Sequence, residues 1–292
     1  MTRGSLRRRL GHGLRVVWTT RRGLTTLARD ALATLGVVGG SLQVYDILTP
    51  QATYHPLVMV AVLGLLPLGV GLRRAWPRHT LVRHLGIPDV TVTVTVGDLL
   101  AQDSHLVIGY TDTFDTDTTD PRVIHPSSVQ AQFQRRHHPD LAALDAALGT
   151  ALAGVPSRPA PAKRLGKSLR YPLGTTVVLP AGGRLAFCLA YATMDDQLVA
   201  HATADTIWNG LAGLWDAVHT HAHREPVSIA VIGTRLAKVD SLDHASLIRL
   251  IVLSFVARSR ARPVTRRLTV VVHPDDAGAV DMLELAAFLA TV

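Results

Sequence analysis

The sequence predicts an N-terminal transmembrane α-helical hairpin followed by an α/β domain with a mixed, mostly parallel sheet. Three observations carry that expectation. Two apolar runs near the N-terminus are bracketed by arginines. Downstream, short β-type runs alternate with helical patterns. Several of those β runs end in Gly, Thr and Asp, the residue types that hold polar ligands at strand ends.

The first apolar run, Ala31–Leu48, is interrupted only by Gln43 and Asp46 near its end, and the second, Leu57–Leu72, carries no charge. Both are short for a span, which needs about 20 residues. Trp18, Tyr45, Tyr54 and Trp76 at the interfaces and snorkelling Arg73 and Arg74 extend them. Thr49–Pro56 is a tight outer turn. Arginines precede the first run and follow the second, with none between, so the expected location is the cell inner membrane, multi-pass, with both termini cytoplasmic. Gly36 and Gly40 have the spacing that lets helices approach closely, which fits a homo-oligomer.

The net charge of +8 is concentrated. The arm 1–30 holds eight arginines and one acid, Asp30, whereas residues 84–292 carry a net −2. A mildly acidic domain lacks the basic footprint of a nucleic-acid binder. Membrane lipid is the partner that the arm suggests, either as an anionic surface under it or simply through its topology signal. The single cysteine, Cys188, excludes a disulfide framework and a cysteine zinc site. Its apolar neighbours predict a buried thiol.

Residues 73–88, with Pro77 and Pro88, read as a linker to a domain spanning 89–292. Strands are expected over Val90–Val96, His105–Tyr110, Thr175–Leu179, Arg184–Tyr191, Val227–Ile232 and Leu268–His273. Helices are expected over Ser127–His137, Asp140–Ala153, Thr203–His221, Leu242–Arg260 and Asp275–Leu289. Three loops carry chemistry: Gly109–Thr116, Arg170–Thr176 and Ile232–Ala237. Asp112 and Asp115 could form an acid/base pair or cap the loop. Phe114 could stack on a base or plug the core. Arg235 could meet a phosphate or stay solvated. His219 and His223 share a helix face but lack a third ligand, so no metal is expected.

In chain order GDLL (97–100), VIGYTDTFDT (107–116), SSVQAQF (127–133), YPLGTT (171–176) and VIGTRLA (231–237) resemble a macro domain, an ADP-ribose-binding α/β/α three-layer fold. With the hairpin, they resemble most the effectors of type II Thoeris anti-phage systems, which join two transmembrane helices to a divergent macro domain. The resemblance implies a sensor rather than an enzyme, with no cofactor. Its ligand would be an ADP-ribose derivative, similar to histidine-ADP-ribose, made from NAD by a TIR-domain enzyme. Binding would drive oligomerisation and membrane disruption, leading to abortive infection.

The resemblance also places the ligand. Asp98 and Leu99 would face the adenine. Thr111, Asp112, Thr113, Phe114, Asp115 and Thr116 would line the distal ribose and the amino-acid-like end. Ser127, Ser128 and Gln132 would approach from a helix. Tyr171, Gly174 and Thr175 belong to the second loop. Gly233, Thr234, Arg235 and Leu236 would cradle the diphosphate. The asparagine-rich motif and the glycine-rich turn of hydrolytic macro domains are missing here. The alternative of a membrane-tethered ADP-ribosyl hydrolase is weakened accordingly.

Overall fold

The computed structural model describes residues 21–49, 59, 61–75, 79–233 and 242–292. It contains two compact units.

In the N-terminal unit, helix α1 (Arg21–Leu48) starts ten residues earlier than the apolar run that predicts it. Its segment Leu27–Leu48, 22 residues, is long and apolar enough to cross a membrane. Leu32, Val37, Ile47 and Leu48 are exposed along it, as lipid-facing residues would be. A π turn over Ala61–Leu65 leads into α2 (Leu66–Ala75). Pro67 accounts for the irregular turn, because its ring displaces the carbonyl of Leu63 four residues back. The described apolar stretch Ala61–Leu72 falls short of a span, and residues 50–58 and 60 of the expected hairpin lie outside the described residues. Leu27 packs against Leu72, and a Cβ on Gly71 would stand 2.8 Å from the Leu27 carbonyl oxygen.

The second unit holds the sheet. Its strands are β1 (Thr80–Leu85), β2 (Val90–Val96), β3 (His105–Thr111), β4 (Arg158–Pro159), β5 (Leu169–Arg170), β6 (Thr176–Pro180), β7 (Leu185–Met194), β8 (Ala200–His201), β9 (Val227–Ala230) and β10 (Arg267–Val272). Its helices are α3 (Val129–His137), α4 (Leu141–Leu152), α5 (Ala204–His221) and α6 (His244–Ala261); the last helix, α7 (Met282–Thr291), divides, with Met282–Ala287 grouped in the first unit and the rest in the second. The strand order is β1-β2-β10-β9-β3-β7-β6, with β8 paired to β7 and β4 paired separately to β5. From β2 to β7 all neighbours are parallel; β1 and β6 run antiparallel at the two edges. The sheet is therefore mixed and mostly parallel.

Sequence explains most of this. VTVTVTV in β2 is a run of β-branched residues whose valines at 90, 92 and 94 are buried. The centres of β3, β7 and β10 are apolar on both faces, as parallel strands covered by helices must be. Leu106, Ile108 and Tyr110 of β3 join Phe133, Leu144 and Leu148 in one core layer. On the other face α5 lies against β7, and a Cβ on Gly210 would meet the Ala190 carbonyl at 3.8 Å. Trp215 of α5 donates from Nε1 to Ser254 Oγ of α6 (3.0 Å), and its ring meets Phe255 edge-on. Helix starts are capped by Ser128, Asp140, Thr203 and Asp243. Cys188 is buried, with its thiol pushed up to about 12 by burial.

The structure corrects three expectations. The stretch read as a linker carries β1 at Thr80–Leu85. The strand expected over Arg184–Tyr191 runs on to Met194, past a register shift at Tyr110/Thr111. The helix expected over Asp275–Leu289 is broken into a 3-10 segment, Pro274–Ala279, and α7. Gly278 weakens a helix there, and extended Val280 buries its side chain at the break.

His105, at the start of β3, gives the fold a pH dependence. Its Nδ1 accepts from the Leu185 N–H (3.0 Å), and its Nε2 faces Glu225 (3.2 Å). The acceptor role of Nδ1 fixes a neutral ring protonated on Nε2. Burial lowers its pKa below 6.5, against the opposing pull of Glu225. A lowered histidine pKa leaves stability intact above the unfolded value and removes it as pH falls from 6.5 toward the folded value. Denaturation midpoints measured from pH 7.5 to 5 should therefore decline for the wild type and decline less for His105→Gln. Parallel profiles would assign the acid sensitivity elsewhere.

Candidate functional site

The parallel strands deliver five loops to one edge of the sheet. Gly97-Asp98 follows β2, His273 follows β10, Ile232-Gly233 follows β9, Thr111–Thr116 continues β3, and Asp195 follows β7. In parallel α/β sheets this carboxyl edge is where ligands bind. Backbone bonds lock the loops to their neighbours: Gly97 N–H to the Val272 carbonyl at 2.9 Å, and Asp112 N–H to the Ala192 carbonyl at 2.8 Å.

The loop after β3 is built around two buried carboxylates, each held by a protein cation. Asp112 pairs with Arg170 (3.0 Å) and accepts from the Met194 N–H (2.9 Å). Arg170 also donates to the Met194 carbonyl. Asp115 pairs with Lys163 (3.0 Å), whose ammonium is fully buried and donates further to the carbonyls of Leu165 (2.7 Å) and Lys167 (2.9 Å). Asp115 also accepts from the Lys167 N–H (2.6 Å) and the Thr113 hydroxyl (2.5 Å). Gly166 makes this knot possible. Its φ is +73°, and a Cβ there would lie 2.1 Å from the Asp115 carboxylate. Thr116 donates to Asp145 (2.5 Å), which also pairs with Lys167 (2.6 Å).

Between the two aspartates Phe114 adopts φ +48° and is completely buried, stacked on Tyr110 (5.6 Å) and edge-on to half-buried Tyr171 (5.8 Å). Of its two sequence readings, the structure gives the core plug. Thr111, half-buried, shares a hydrogen bond with Thr113 (3.2 Å). Asp98 is exposed and accepts from the Leu100 N–H (2.9 Å), while Leu99 is buried in the core. Ser128 caps α3, Ser127 bonds His125 (2.8 Å), and Gln132 donates to the Ser127 carbonyl (3.0 Å).

Gly174 (φ +92°) turns the second loop against α5. A Cβ on Gly213 would sit 2.4 Å from the Gly174 carbonyl oxygen, so the helix can approach only without side chains there. Thr175 closes this turn through its N–H to Pro172 (3.1 Å). At the start of the first loop, the Tyr191 ring covers Gly109, where a Cβ would stand 2.6 Å from the ring. Burial pushes the Tyr191 hydroxyl up to about 12, opposed by a hydrogen bond from the Gly233 backbone. Gly233 has φ +84°. Thr234, Arg235 and Leu236 lie outside the described residues.

Beside the ends of β3 and β7 a cleft of about 430 Å³ opens, lined by Asp112, Ser157, Arg158, Arg170, Tyr171 and Thr193, among others. The structure thus brings Asp112 and Tyr171 to one cavity and places Asp98 and Gly233 on other strands of the same edge. Arg158 and Thr193 escaped the sequence reading, which had Arg170 only as the first residue of the second loop. Arg170 directly precedes the YPLGTT motif, and Arg158 falls in the Pro-rich stretch Ser157–Pro161, but only the fold shows that they line one cleft. Among the described residues, no group of three His, Cys, Asp or Glu side chains converges to hold a metal.

The architecture is that of a macrodomain. Three solved macrodomain structures from Oceanobacillus iheyensis share it at TM-scores of 0.50 to 0.51. The one with ADP is 14% identical, covering 74% of this chain and all of that one. A glycine-to-valine mutant with ADPR is 13% identical over 73% and 100% of the two chains, and an aspartate-to-alanine mutant 12% over 73% and 99%. At such identity the likeness concerns the fold alone. No curated protein matches the chain. The family described as "Thoeris protein ThsA, Macro domain" matches residues 92–273, more than half of the sequence, and the chain belongs to that family.

Proposed function

We propose that the chain is a membrane-anchored anti-phage effector whose macro domain binds an ADP-ribose derivative, similar to histidine-ADP-ribose, made from NAD by a TIR-domain partner. Binding drives oligomerisation in the inner membrane and its disruption, ending in abortive infection. The observation that carries this reading is a ThsA-type macro domain downstream of a 22-residue apolar helix. The second apolar segment completes a two-span anchor with both termini in the cytoplasm.

In this reading the adenine lies by Asp98, the diphosphate by Gly233 to Leu236, and the distal ribose and amino-acid-like end by the loop after β3. The ion pairs refine the last assignment. Asp112 and Asp115 are neutralised and buried, so they shape the loop while Thr111 and the backbone meet the ligand. Two carboxylates already held by Arg170 and Lys163 also favour binding without hydrolysis, since a general base must reach a reacting proton.

Calorimetry on the full-length protein in detergent tests the site. Asp98→Ala should weaken ADP-ribose-type binding about tenfold, or 1.4 kcal/mol. The melting midpoint should barely move, because Asp98 caps only a three-residue 3-10 turn. Unchanged affinity would move the adenine elsewhere. Dye-loaded liposomes carrying the protein should leak when the ligand is added. Tight liposomes would remove the membrane output, and release of hydrolysis products would convert the sensor into an enzyme.

A further inference from the structure

At the opposite, amino edge of the sheet, Arg224, Arg266 and Arg267 surround a cavity of about 330 Å³ with Thr91, Pro226 and Asp89. We propose that this cavity is a second anion site, distinct from the nucleotide edge, that takes a phosphate monoester or inorganic phosphate.

Three features support it. First, the arginines are exposed, and among the described residues none of them has a carboxylate within ion-pairing distance. The one acid in the lining, Asp89, lies 3.6 Å from His84 instead. Three unpaired guanidinium groups around one hollow repel each other, and a phosphate relieves that by accepting their paired N–H donors. The rest of the domain makes the cluster conspicuous, because residues 84–292 are net acidic.

Second, the walls are rigid. Arg267 lies beside Thr91 in the β10–β2 register. Arg266 is fixed by its carbonyl, which accepts from the Thr91 N–H (2.8 Å), and by its N–H, which donates to the Arg224 carbonyl (3.1 Å). The Thr265 hydroxyl donates to the Glu225 carbonyl, joining the same two segments. Third, the turn that presents Arg224 is in a costly conformation. His223 (φ +48°) and Arg224 (φ +65°) are consecutive non-glycine residues in the left-handed region. Such strain persists only where the surroundings enforce it, and it clusters at binding sites.

The two edges are separated by the lengths of β2 and β10, seven and six residues, or roughly 20 Å. A phosphate here would not meet the nucleotide. Its source is either a free anion or a lipid headgroup, and both present the same dianion to the arginines.

The test uses the full chain in a zwitterionic detergent and follows its melting midpoint. Phosphate or dihexanoyl phosphatidic acid is titrated in, with dihexanoyl phosphatidylcholine as control. The expected result is saturable stabilisation by phosphate, by the phosphatidic acid, or by both. Arg224→Gln and Arg266→Gln should each weaken it about tenfold or more, while Arg158→Gln, at the other edge, leaves it intact. Stabilisation by both probes at similar concentrations assigns a free anion. Much tighter action of the phosphatidic acid assigns a lipid headgroup. The proposal is overturned if neither probe stabilises the protein, or if stabilisation survives Arg224→Gln and Arg266→Gln. It is equally overturned if Arg158→Gln is the variant that abolishes the effect. A folded variant is confirmed by circular dichroism, and Arg267→Lys provides a milder second variant.

Discussion

Lys163→Met should cost about 3–5 kcal/mol of domain stability, the range for breaking one partner out of a buried ion pair. The Lys163 ammonium is wholly inaccessible and makes three contacts: the Asp115 carboxylate and the carbonyls of Leu165 and Lys167. Methionine fills much of the same volume and satisfies none of them. Asp115 would keep the Lys167 N–H and the Thr113 hydroxyl, too little for a charge with no counterion. Adding Asp115→Leu removes the orphaned charge and should recover part of the loss, because an apolar pair often replaces a buried ion pair at small cost. Urea denaturation of the single and double variants measures both steps. If the single variant loses less than about 1 kcal/mol, the pair is not what fastens the 163–167 segment to the loop after β3.

Asp112→Ala should cost a similar amount and also abolish nucleotide binding. It strips the buried counterion from Arg170, leaving only the exposed Asp196 at 3.6 Å, and the acceptor from the Met194 N–H at the base of the cleft. Asp112→Asn keeps a side-chain oxygen for that N–H and loses only the charge, so less than half of the stability loss is expected. A double-mutant cycle with Arg170→Met should give a coupling above about 1 kcal/mol, as contacting partners do. The binding arm is the sharper test. A variant that has lost stability yet binds ADP-ribose-type ligands at wild-type affinity would show that the nucleotide does not use this end of β3.

The strands and the site loops differ in how far sequence could reach them. VTVTVTV announces β2 because its alternation is local, with Val90, Val92 and Val94 buried. The apolar centres of β3 and β10 are equally plain. β1 is hidden for a physical reason. As an edge strand it buries only Leu81 and Leu85, four residues apart, which is a helical spacing, and it lies between Pro77 and Pro88, which suggest a linker. The end of the chain misleads in the other direction, since LELAAFL extends a helical pattern back across Gly278 and Val280.

At the candidate site, sequence could find the loops because their composition is local: Gly, Thr and Asp directly after apolar strands. It could not find their state. Arg170 lies 58 positions from Asp112, and Lys163 lies 48 from Asp115. No periodicity links residues that far apart. Reading GYTDTFDT alone, the aspartates look available to a ligand; the fold shows them already committed. Phe114 is similar. Its burial depends on Tyr110 and Tyr171, and the latter arrives from a different loop.

The antiparallel direction of β1 has a mechanical consequence. Thr80, the first residue of the domain, pairs with Thr95 through backbone register and through a 2.8 Å bond between their hydroxyls. Had β1 run parallel to β2, the chain would have joined the sheet at its arginine-lined edge. Instead the U-turn at 86–89 brings the tether back to the rim where Gly97 and Asp98 begin. Three residues of β2 and its turn, roughly 10 Å of extended chain, separate the rope's knot from Asp98. Whatever tension that rope carries is applied beside Gly97 and Asp98, where the proposed function puts the adenine, and not across the width of the sheet.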